Sequence, residues 1–289
     1  MQEPVRVLVT GANGQLASEL RELAAAHSRL NVDFAGRDRL PVTDEAMIQQ
    51  HFQAFRPDYC INTAAYTAVD KAEEPGEAEI AAATNATAVG ALARASAAYG
   101  AKLIHISTDY VFDGTASIPY KPGDATHPLS VYGATKLKGE QLAQQYTDAV
   151  VIRTAWVYSS FGKNFVKTMM RLMQERPAIN VVNDQFGAPT YARDLANAIL
   201  DIIAAARWVP GTYHYTNEGV ISWYDFATAI KEAIHSPCIV SPIPSEAYPT
   251  PAKRPAYSVL DTTLIKEIYK VRTPYWLDSL TECIKILTR

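Results

Sequence analysis

The sequence predicts an α/β fold in which a doubly wound parallel sheet precedes a smaller mixed α/β region. Short apolar runs alternate with helical patterns through residues 5–152, as expected when helices cover both faces of a parallel sheet. A glycine-rich turn stands directly after the first apolar run. Beyond Trp156 the alternation is lost, which marks the start of the second region.

The first half of the chain contains five predicted strands separated by four predicted helices. The strands are the apolar runs at residues 5–9, 31–35, 59–62, 103–107 and 150–152, and the helices span residues 16–26, 43–55, 77–99 and 132–146. Thr43 and Asp44 are both candidate N-caps of the second helix, since either side chain can accept a hydrogen bond from the first helical turn. These elements predict a first domain over residues 1–155.

The second half is predicted to form a smaller mixed α/β domain over residues 156–289. Helices are predicted at residues 165–175, 192–206 and 223–234, strands at 179–182 and 211–215, and an ordered proline-rich loop at 237–255. Helix 192–206 is also a candidate to return and cover the first domain, which would make the boundary discontinuous. Sequence alone does not decide between these arrangements.

Composition and charge indicate a globular protein without a nucleic-acid or membrane partner. The 289 residues are 48% hydrophobic and 20% charged, and the formal charge of −3 offers no basic face for nucleic acid or anionic lipid. No apolar run reaches the length of a membrane span, and residues 1–4 lead directly into a strand, so no signal peptide is expected. The widely spaced Cys60, Cys238 and Cys283 predict buried small side chains rather than a disulfide framework or zinc site. A cytoplasmic location is expected.

The glycine-rich turn TGANGQLA at residues 10–17 predicts a Rossmann-type dinucleotide site. Gly11 permits the tight turn after the strand, and Gly14 lets a diphosphate approach the backbone at the N-terminus of the first helix. Ala17 is small enough to pack closely on the sheet. Residues 1–155 are therefore predicted to bind a dinucleotide, with contacts from Gly11, Asn13, Gly14, Gln15 and Leu16.

The sequence GRDR at residues 36–39 stands about twenty residues after the glycine-rich turn, where the adenosine ribose is recognised. An arginine at this place neutralises the 2′-phosphate of NADP, whereas an acidic residue holds the free hydroxyls of NAD. Arg37 therefore favours NADPH, and Asp38 leaves NADH as the alternative cofactor. Solvated loop charges are the competing explanation for both arginines of this segment.

Tyr132 and Lys136 begin a predicted helix and project from the same face, since four residues make about one helical turn. A phenol titrates near pH 10 and exchanges protons poorly at neutral pH unless a nearby ammonium stabilises its anion. The pair can then deliver a proton to a carbonyl oxygen as hydride reaches the carbon. Such pairs are common on helix surfaces, but this one follows the fourth strand of a dinucleotide fold, which favours a catalytic role.

Ser107 and Thr108 end the fourth strand, at the edge of the sheet where open parallel sheets bind ligands. A hydroxyl at this edge can donate a hydrogen bond to a substrate carbonyl and polarise it. Capping of the following loop is the alternative role for either side chain. Periodicity alone does not decide which of the two points towards the site.

Together these motifs resemble the extended short-chain dehydrogenase/reductase superfamily and, within it, the dTDP-4-dehydrorhamnose reductase family. The similarity covers essentially the whole chain and includes TGANGQLASEL at 10–20, NTAAYTAVDKAE at 62–73, STDYVFDG at 107–114, PLSVYGATKLKGE at 128–140, RTAWVY at 153–158, NFVKTM at 164–169, VVNDQFGAPTYARDLA at 181–196 and KRPAYS at 253–258. The glycine turn and YxxxK occur across the superfamily, whereas STDYVFDG, AAYTAVD and the NDQ-x-GAPT block are characteristic of this reductase and its nearest relatives.

The resemblance implies NADPH-dependent reduction of the C4 keto group of dTDP-4-dehydro-β-L-rhamnose to dTDP-L-rhamnose, the last step of dTDP-rhamnose biosynthesis. It implies that Thr108 polarises the carbonyl, that Tyr132 donates the proton, and that Lys136 binds the nicotinamide ribose and lowers the Tyr132 pKa. The implied cofactor contacts also include Ala64, Ala65 and Tyr66, and the implied substrate contacts are Val69, Asp70, Tyr110, Trp156 and Arg254. Arg254 corresponds to the residue that anchors the nucleotide diphosphate. Core packing is the alternative role of the two aromatic residues Tyr110 and Trp156.

Three features depart from the family pattern. Ala17 replaces the third glycine of the turn, and LPVT at residues 40–43 lacks the acidic residue that relatives carry near the adenine. Some relatives dimerise through magnesium held by two glutamates; Glu19 matches the first, but Arg193 stands in place of the second. No metal site is therefore predicted, and the assembly is either a monomer or a homodimer.

Three functions are compatible with the motifs. A reductase of the keto-sugar above is favoured, and another nucleotide-sugar enzyme, such as an epimerase, a 4,6-dehydratase or a reductase of a different keto-sugar, is the second. A dehydratase would carry a glutamate after Asp109, where this chain has Tyr110. The third is a non-catalytic, NADP-binding regulatory subunit of methionine adenosyltransferase, which resembles these reductases. The intact Thr108, Tyr132 and Lys136 favour catalysis.

Overall fold

The computed structural model describes residues 3–205 and 207–289. Three residues lie outside the described ones. They are Met1 and Gln2, which precede the first predicted strand, and Ala206, the last residue of the predicted helix 192–206. The strands are β1 (Val5–Thr10), β2 (Leu30–Ala35), β3 (Tyr59–Asn62), β4 (Lys102–Thr108), β5 (Val150–Thr154), β6 (Val157–Tyr158), β7 (Ala178–Val182), β8 (Phe186–Gly187), β9 (Thr190–Tyr191), β10 (Gly211–His214), β11 (Ile221–Ser222) and β12 (Ile239–Ile243). The α-helices are α1 (Gln15–Ala24), α2 (Glu45–Phe55), α3 (Glu77–Ala82), α4 (Ala88–Tyr99), α5 (Val131–Tyr146), α6 (Phe165–Glu175), α7 (Ala192–Ala204), α8 (Trp223–Ala233), α9 (Thr263–Tyr269) and α10 (Trp276–Leu287).

The main sheet has six parallel strands in the order β10-β5-β4-β3-β1-β2. From β1 the chain first moves outward to β2 and then returns to the other side of β1 to form β3. The order of the strands therefore reverses between β1 and β3. Such a switch point is where open α/β sheets bind their ligands. The parallel α/β fold predicted from the sequence is confirmed.

Apolar side chains cover both faces of this sheet. On one face, α1 and α7 pack over Val7, Val9 and Ile61, and on the other, α2, α4 and α5 pack over Leu8, Cys60 and Leu103. Adjacent residues of one strand thus enter opposite cores, which explains why the strands are almost continuously apolar. The three cysteines lie buried, as predicted.

The remaining elements build a smaller body beside the sheet. Among the described residues it contains three short ladders: β6 with β9 and β7 with β12 are parallel, and β8 with β11 is antiparallel. Helices α6, α8 and α10 share its core with Tyr158, Tyr191, Phe226 and Trp276. Among the described residues, no helix combines the length and apolarity that crossing a membrane requires.

Strand β10 and helix α7, from the second half of the chain, lie with the main sheet. Strand β10 pairs with β5, and α7 packs against α1. The six-stranded sheet therefore contains residues from both sides of the domain boundary predicted between residues 155 and 156. The helix predicted at residues 77–99 is present as α3 and α4, which a π-helical turn at Ala83–Thr87 joins.

The proline-rich segment 237–255 differs from the loop predicted for it. It contains β12, which pairs in parallel with β7, and a 3-10 turn at Ser245–Ala247. Proline is compatible with a strand that pairs on one side only, since its missing N–H then costs no ladder hydrogen bond. Helices α9 and α10 lie beyond the last element that the sequence predicted.

Candidate active site

The glycine-rich turn lies at the switch point of the sheet, against the loop that follows β3. Gly11 has φ +70°, and a Cβ there would lie 2.7 Å from the backbone N and Cα of Ala64. Gly14 is the N-cap of α1 and supplies no side-chain cap, so the first N–H groups of α1 are left to a ligand or solvent. A side chain at position 11 would fill the space between the two loops.

These loops border a cleft with a volume of about 400 Å³. Its lining includes the predicted cofactor residues Gly11, Gly14, Arg37, Ala64, Ala65 and Tyr66, together with Leu40, Pro41, Val42 and Thr43. Asn13 lies beside Gly36 at the same end. Two predicted contacts are less direct: the Leu16 side chain packs into the core, and Gln15 accepts a hydrogen bond from Asn164 Nδ2 at 2.8 Å.

The two arginines near the cleft have different surroundings. Arg39 forms two hydrogen bonds with Asp33, at 2.9 and 3.2 Å. Arg37 is exposed at the rim of the cleft and has no hydrogen bond or ion pair with any described residue. The Arg37 guanidinium is therefore available to an anionic ligand, whereas that of Arg39 is already paired.

Two asparagines that the sequence analysis did not single out hold the loop after β3. Asn62 Oδ1 accepts the backbone N–H of Ala64 at 3.2 Å. Asn85, in the π-helical turn, accepts from Tyr66 N at 2.8 Å and donates to Tyr66 O at 3.1 Å. Asn85 is fully buried, and its place in an alanine-rich helix does not indicate its partner in the sequence.

Helix α5 carries the tyrosine and lysine towards the carboxyl end of β4. The Ser130 hydroxyl caps this helix by accepting from Gly133 N at 3.1 Å, which places Tyr132 in the first turn. Lys136 is only 2% exposed, and its Nζ donates to the backbone oxygen of Ile106 at 2.6 Å. The predicted pair thus lies on the inner face of α5, beside β4.

Burial shifts the pKa of both members of the pair. It raises the pKa of Tyr132 to about 12, and although the Thr108 side chain counters this shift, the charge of Asp109 adds to it. Burial lowers the pKa of Lys136 to about 8, against an opposing contribution from Glu140. The resemblance implies that Lys136 lowers the Tyr132 pKa; in this structure burial raises that pKa, and the Lys136 ammonium bonds to Ile106 O.

Thr108 and Ser107 point to different partners. The Ser107 hydroxyl donates to Glu140 Oε1 at 2.5 Å, on the side of the sheet that α5 covers. The Thr108 hydroxyl lies near Tyr132, donates to Asp109 Oδ1 at 3.0 Å and accepts from Tyr110 N at 3.2 Å. Of the two hydroxyls, only that of Thr108 adjoins the phenol.

Asp109 is a functional candidate that the sequence analysis used only to weigh a dehydratase. Its side chain is buried, and burial raises its pKa to about 6 although the Ser258 and Thr108 hydroxyls counter the shift. Its Oδ2 atom has no hydrogen-bond partner of good geometry among the described residues. A carboxyl group that titrates near pH 6 therefore adjoins Thr108.

Of the predicted substrate residues, Tyr110 contacts Tyr132, and Asp70 and Arg254 contact each other. The Tyr110 ring meets the Tyr132 ring edge-on, with centroids 5.6 Å apart. Asp70 and Arg254 form a bidentate ion pair, and the half-buried Val69 precedes Asp70 in the loop after β3. The loop that holds the cofactor cleft is thereby connected to segment 252–258.

Trp156 is part of an aromatic stack at the start of the smaller body. Its ring lies on that of Trp223, with centroids 3.5 Å apart and planes at 10°. Its backbone has φ +49°, and a Cβ at Gly187 would approach its indole ring to 2.8 Å. Trp156 as a whole is half-buried.

Glu19 has partners within the chain. It accepts from Ser159 Oγ at 2.6 Å and from Arg193 Nη1 at 3.2 Å, and burial raises its pKa. Throughout the part of the chain that the structure describes, no three His, Cys, Asp or Glu side chains are grouped to hold a metal ion. The guanidinium of Arg193 supplies the positive charge beside this buried carboxylate.

The arrangement suits proton transfer beside a dinucleotide. A protonated phenol and a hydroxyl adjoin each other at the end of β4, and a buried ammonium lies one helical turn further along α5. The glycine-rich turn, whose backbone leaves room for a diphosphate, follows β1 at the same edge of the parallel sheet. Arg37 is exposed at the rim of the cleft, and the charge of Arg254 acts on Tyr110. These groups are those expected of a carbonyl reductase that uses NADPH.

Comparison with known proteins gives the same assignment. The family model described as "RmlD substrate binding domain" matches residues 5–289. The dTDP-4-dehydrorhamnose reductase of Burkholderia thailandensis is 42% identical, over 98% of this chain and 99% of the relative. The crystal structure of that reductase from Clostridium acetobutylicum has a TM-score of 0.94 and 39% identity, covering 99% of this chain and 100% of the other. The Bacillus anthracis reductase, solved in complex with NADP, has a TM-score of 0.93 and 37% identity, covering 98% and 99%.

Proposed function

The chain belongs to the RmlD substrate binding domain family, and from that premise we propose that it reduces the C4 keto group of dTDP-4-dehydro-β-L-rhamnose to dTDP-L-rhamnose with NADPH. The observation that carries the proposal is the contact of Thr108 with Tyr132 at the end of β4, with Lys136 one turn further along α5, at the edge of the sheet that also carries the glycine-rich turn. The relatives supply the identity of the sugar nucleotide, which composition and geometry alone do not distinguish.

The cleft suits NADPH by shape and by charge. A Cβ at Gly11 would fill the approach to the Ala64 backbone, so glycine keeps open the space that a diphosphate needs. Arg37 is free of partners among the described residues and is assigned to the 2′-phosphate. The turn from Gly11 to Leu16 and the loop from Ala64 to Tyr66 are assigned to the rest of the dinucleotide. When bound, NADPH supplies the hydride that adds to C4 of the sugar.

The residues of the chain supply the proton and stabilise charge. With a pKa of about 12, the Tyr132 phenol holds its proton at neutral pH and can donate it to the C4 oxygen. Thr108 polarises the carbonyl with its hydroxyl once that hydroxyl turns from Asp109 to the substrate. Lys136 binds the nicotinamide ribose and, as an ammonium, stabilises the tyrosinate that remains.

The substrate is assigned to the space between Tyr132 and segment 252–258. Val69, Asp70, Tyr110 and Trp156 are assigned to the sugar, and Arg254 to the diphosphate, for which a guanidinium offers two parallel donors. Residues 1–155, completed by α7 and β10, are proposed as the dinucleotide-binding domain, and the rest of residues 156–289 as the substrate-binding domain. A cytoplasmic location is proposed, and the assembly is either a monomer or a homodimer, which light scattering distinguishes.

The function is tested by following NADPH oxidation at 340 nm with enzymatically generated dTDP-4-dehydrorhamnose. Parallel reactions contain NADH in place of NADPH, or a GDP-4-keto-6-deoxy sugar in place of the substrate. We expect turnover with the dTDP sugar, with NADPH preferred. Folded protein that binds NADP but turns over neither sugar would contradict the proposal and favour the regulatory role, whereas nucleotide retained through purification would favour an epimerase.

A further inference from the structure

Ser107, Glu140 and Arg153 form a buried polar cluster behind the catalytic residues. Glu140 is 3% exposed, and it accepts hydrogen bonds from Ser107 Oγ at 2.5 Å, from Arg153 Nη2 at 2.7 Å and from Arg153 Nε at 3.0 Å. Arg153 Nη1 donates in addition to Pro122 O at 3.2 Å. The cluster therefore ties α5 to β4 and β5 through one fully engaged carboxylate.

The position of Glu140 on α5 relates this cluster to Lys136. Four residues separate them, so both lie on the buried face of the helix about one turn apart. Lys136 has its ammonium on Ile106 O, and Ser107, the next residue of β4, bonds to Glu140. Ile106 and Ser107, adjacent in β4, thus bind Lys136 and Glu140 on successive turns of α5.

A buried ammonium requires a counter-charge to remain charged near neutral pH. Burial lowers the pKa of Lys136 to about 8, and Glu140 is the charge that opposes this shift. Arg153 pairs with the same carboxylate, with its Nη2 atom 2.7 Å from Glu140 Oε2, so the guanidinium and the ammonium share one counter-charge. Arg153 thus acts on Lys136 indirectly, through the carboxylate.

The other titratable groups around this face of α5 do not replace Glu140. Tyr132 shares the helix and is neutral, and His105 on β4 is buried with its pKa well below the usual value, so it is neutral as well. Asp109, in the turn after β4, adjoins Tyr132. Three other charged residues on neighbouring elements have partners of their own: Glu73 accepts from Val131 N, Arg94 pairs with Glu45, and Glu77 pairs with Lys71.

We propose that Ser107, Glu140 and Arg153 are positioning residues that hold Lys136 in place on α5, and that Glu140, whose carboxylate is shared with Arg153, keeps Lys136 in the ammonium form. The kinetic part of this inference rests on the proposed reductase function, whereas the protonation of Lys136 does not. Ser107, whose direction the sequence left undecided, thereby has a role distinct from that of Thr108.

The test compares two variants that remove opposite charges, Glu140→Gln and Arg153→Met. The titration of Lys136 is followed in the ligand-free protein by ¹³C NMR of its Cε, and the basic limb of the pH profile of kcat/KM is measured beside it. Glu140→Gln should lower both midpoints by about one pH unit, because the buried ammonium loses its counter-charge. Arg153→Met should raise both midpoints, by less than one pH unit, because the Glu140 carboxylate is then no longer shared with the Arg153 guanidinium.

Three controls separate charge from structure. Arg153→Lys keeps the charge, so its midpoints should match those of the wild type even where its thermal stability is lower. Glu175→Gln removes an exposed partner of Arg171 and should change neither midpoint. If a single variant does not melt cooperatively, the double variant Glu140→Gln/Arg153→Met replaces the buried pair by neutral groups, which cores often tolerate, and it should still show the lower midpoint.

Wild-type midpoints in both charge variants, or equal downward shifts in both, would overturn the proposal. Absence of turnover in the wild type would instead contradict the reductase function. The NMR titration of the ligand-free protein would still test the role of Glu140 in that case.

Discussion

Asp70 and Arg254 are 184 residues apart in the sequence, and two hydrogen bonds join them, at 2.9 Å to Oδ1 and 2.6 Å to Oδ2. The Asp70 carboxylate thus occupies both parallel donors of the guanidinium. These are the donors that a diphosphate would use. Since both residues are assigned to the substrate, its binding requires a phosphate to displace or share the contact with Asp70.

Arg254→Ala should raise the KM for the sugar nucleotide about 10-fold or more and change kcat little. An anchor on the diphosphate, remote from the reacting carbon, contributes equally to the ground state and the transition state. Steady-state kinetics of the variant measure this. Arg171→Ala, at an exposed arginine on α6, is the matched control and should behave as the wild type. A large fall in kcat with an unchanged KM would place Arg254 at the reaction centre instead.

Tyr132→Phe should reduce turnover by at least about 10²-fold and leave the Kd for NADPH nearly unchanged, since only the proton donor is removed. Fluorescence titration gives the affinity, and NADPH oxidation gives the rate. Wild-type turnover in this variant would remove Tyr132 from the mechanism.

Arg37→Ala should weaken NADPH binding about 10-fold and NADH binding much less, because the guanidinium is assigned to the 2′-phosphate alone. Arg39→Ala is the matched control: this arginine is paired with Asp33, so neither Kd should change greatly. Equal losses for the two cofactors in Arg37→Ala would contradict the 2′-phosphate assignment.

Gly187→Ala should displace the indole of Trp156, because the added Cβ would approach that ring to 2.8 Å. We expect a several-fold higher KM for the sugar nucleotide, an unchanged Kd for NADPH and altered tryptophan fluorescence. Gly123→Ala, at an exposed glycine with no atom within 4 Å of the new Cβ, should have none of these effects. An unchanged KM in Gly187→Ala would leave Trp156 with a packing role only.

Asp109 should make the stability of the fold depend on pH. Its pKa is about 6 in the folded state, above the ordinary 3.8, so folding favours the protonated acid. The contribution of Asp109 to the free energy of unfolding is therefore largest below about pH 4 and is lost as the pH rises to about 6. The free energy of unfolding should fall over this range by an amount on the order of 3 kcal/mol. Urea unfolding of the wild type and Asp109→Asn, from pH 4 to pH 7, should show the variant gaining relative stability by that amount. A constant difference would mean that Asp109 titrates normally.

The sequence predicted the parts of the molecule in which local pattern and tertiary structure agree. Strand β3 and helix α6 have the predicted bounds, because apolar periodicity and flanking polar residues mark both ends. Asp44, one of two candidate caps, accepts from Met47 N at 3.1 Å. The glycine-rich turn and the Tyr132–Lys136 pair are local motifs, and their positions are as predicted.

Long-range pairing accounts for most of what was missed. Strand β12 is only five residues long, and its partner β7 lies about 60 residues earlier in the chain, so no local sequence pattern indicates that the two strands pair. Asn85 and Glu140 act on residues far from them in the chain, at Tyr66 and Arg153, so spacing gave no sign of either role. Helix α10 was predictable, because Trp276, Leu280, Cys283 and Ile284 recur at helical spacing and are buried.

The return of β10 to the main sheet has a consequence for synthesis of the protein on the ribosome. When β5 has emerged, its outer edge has no neighbouring strand, and roughly 60 more residues must be translated before β10 can pair with it. At about 10 residues per second this takes several seconds, during which an apolar strand exposes unpaired N–H and C=O groups. The nascent chain is then open to pairing with other chains, and chaperones that bind extended apolar segments would act in this interval.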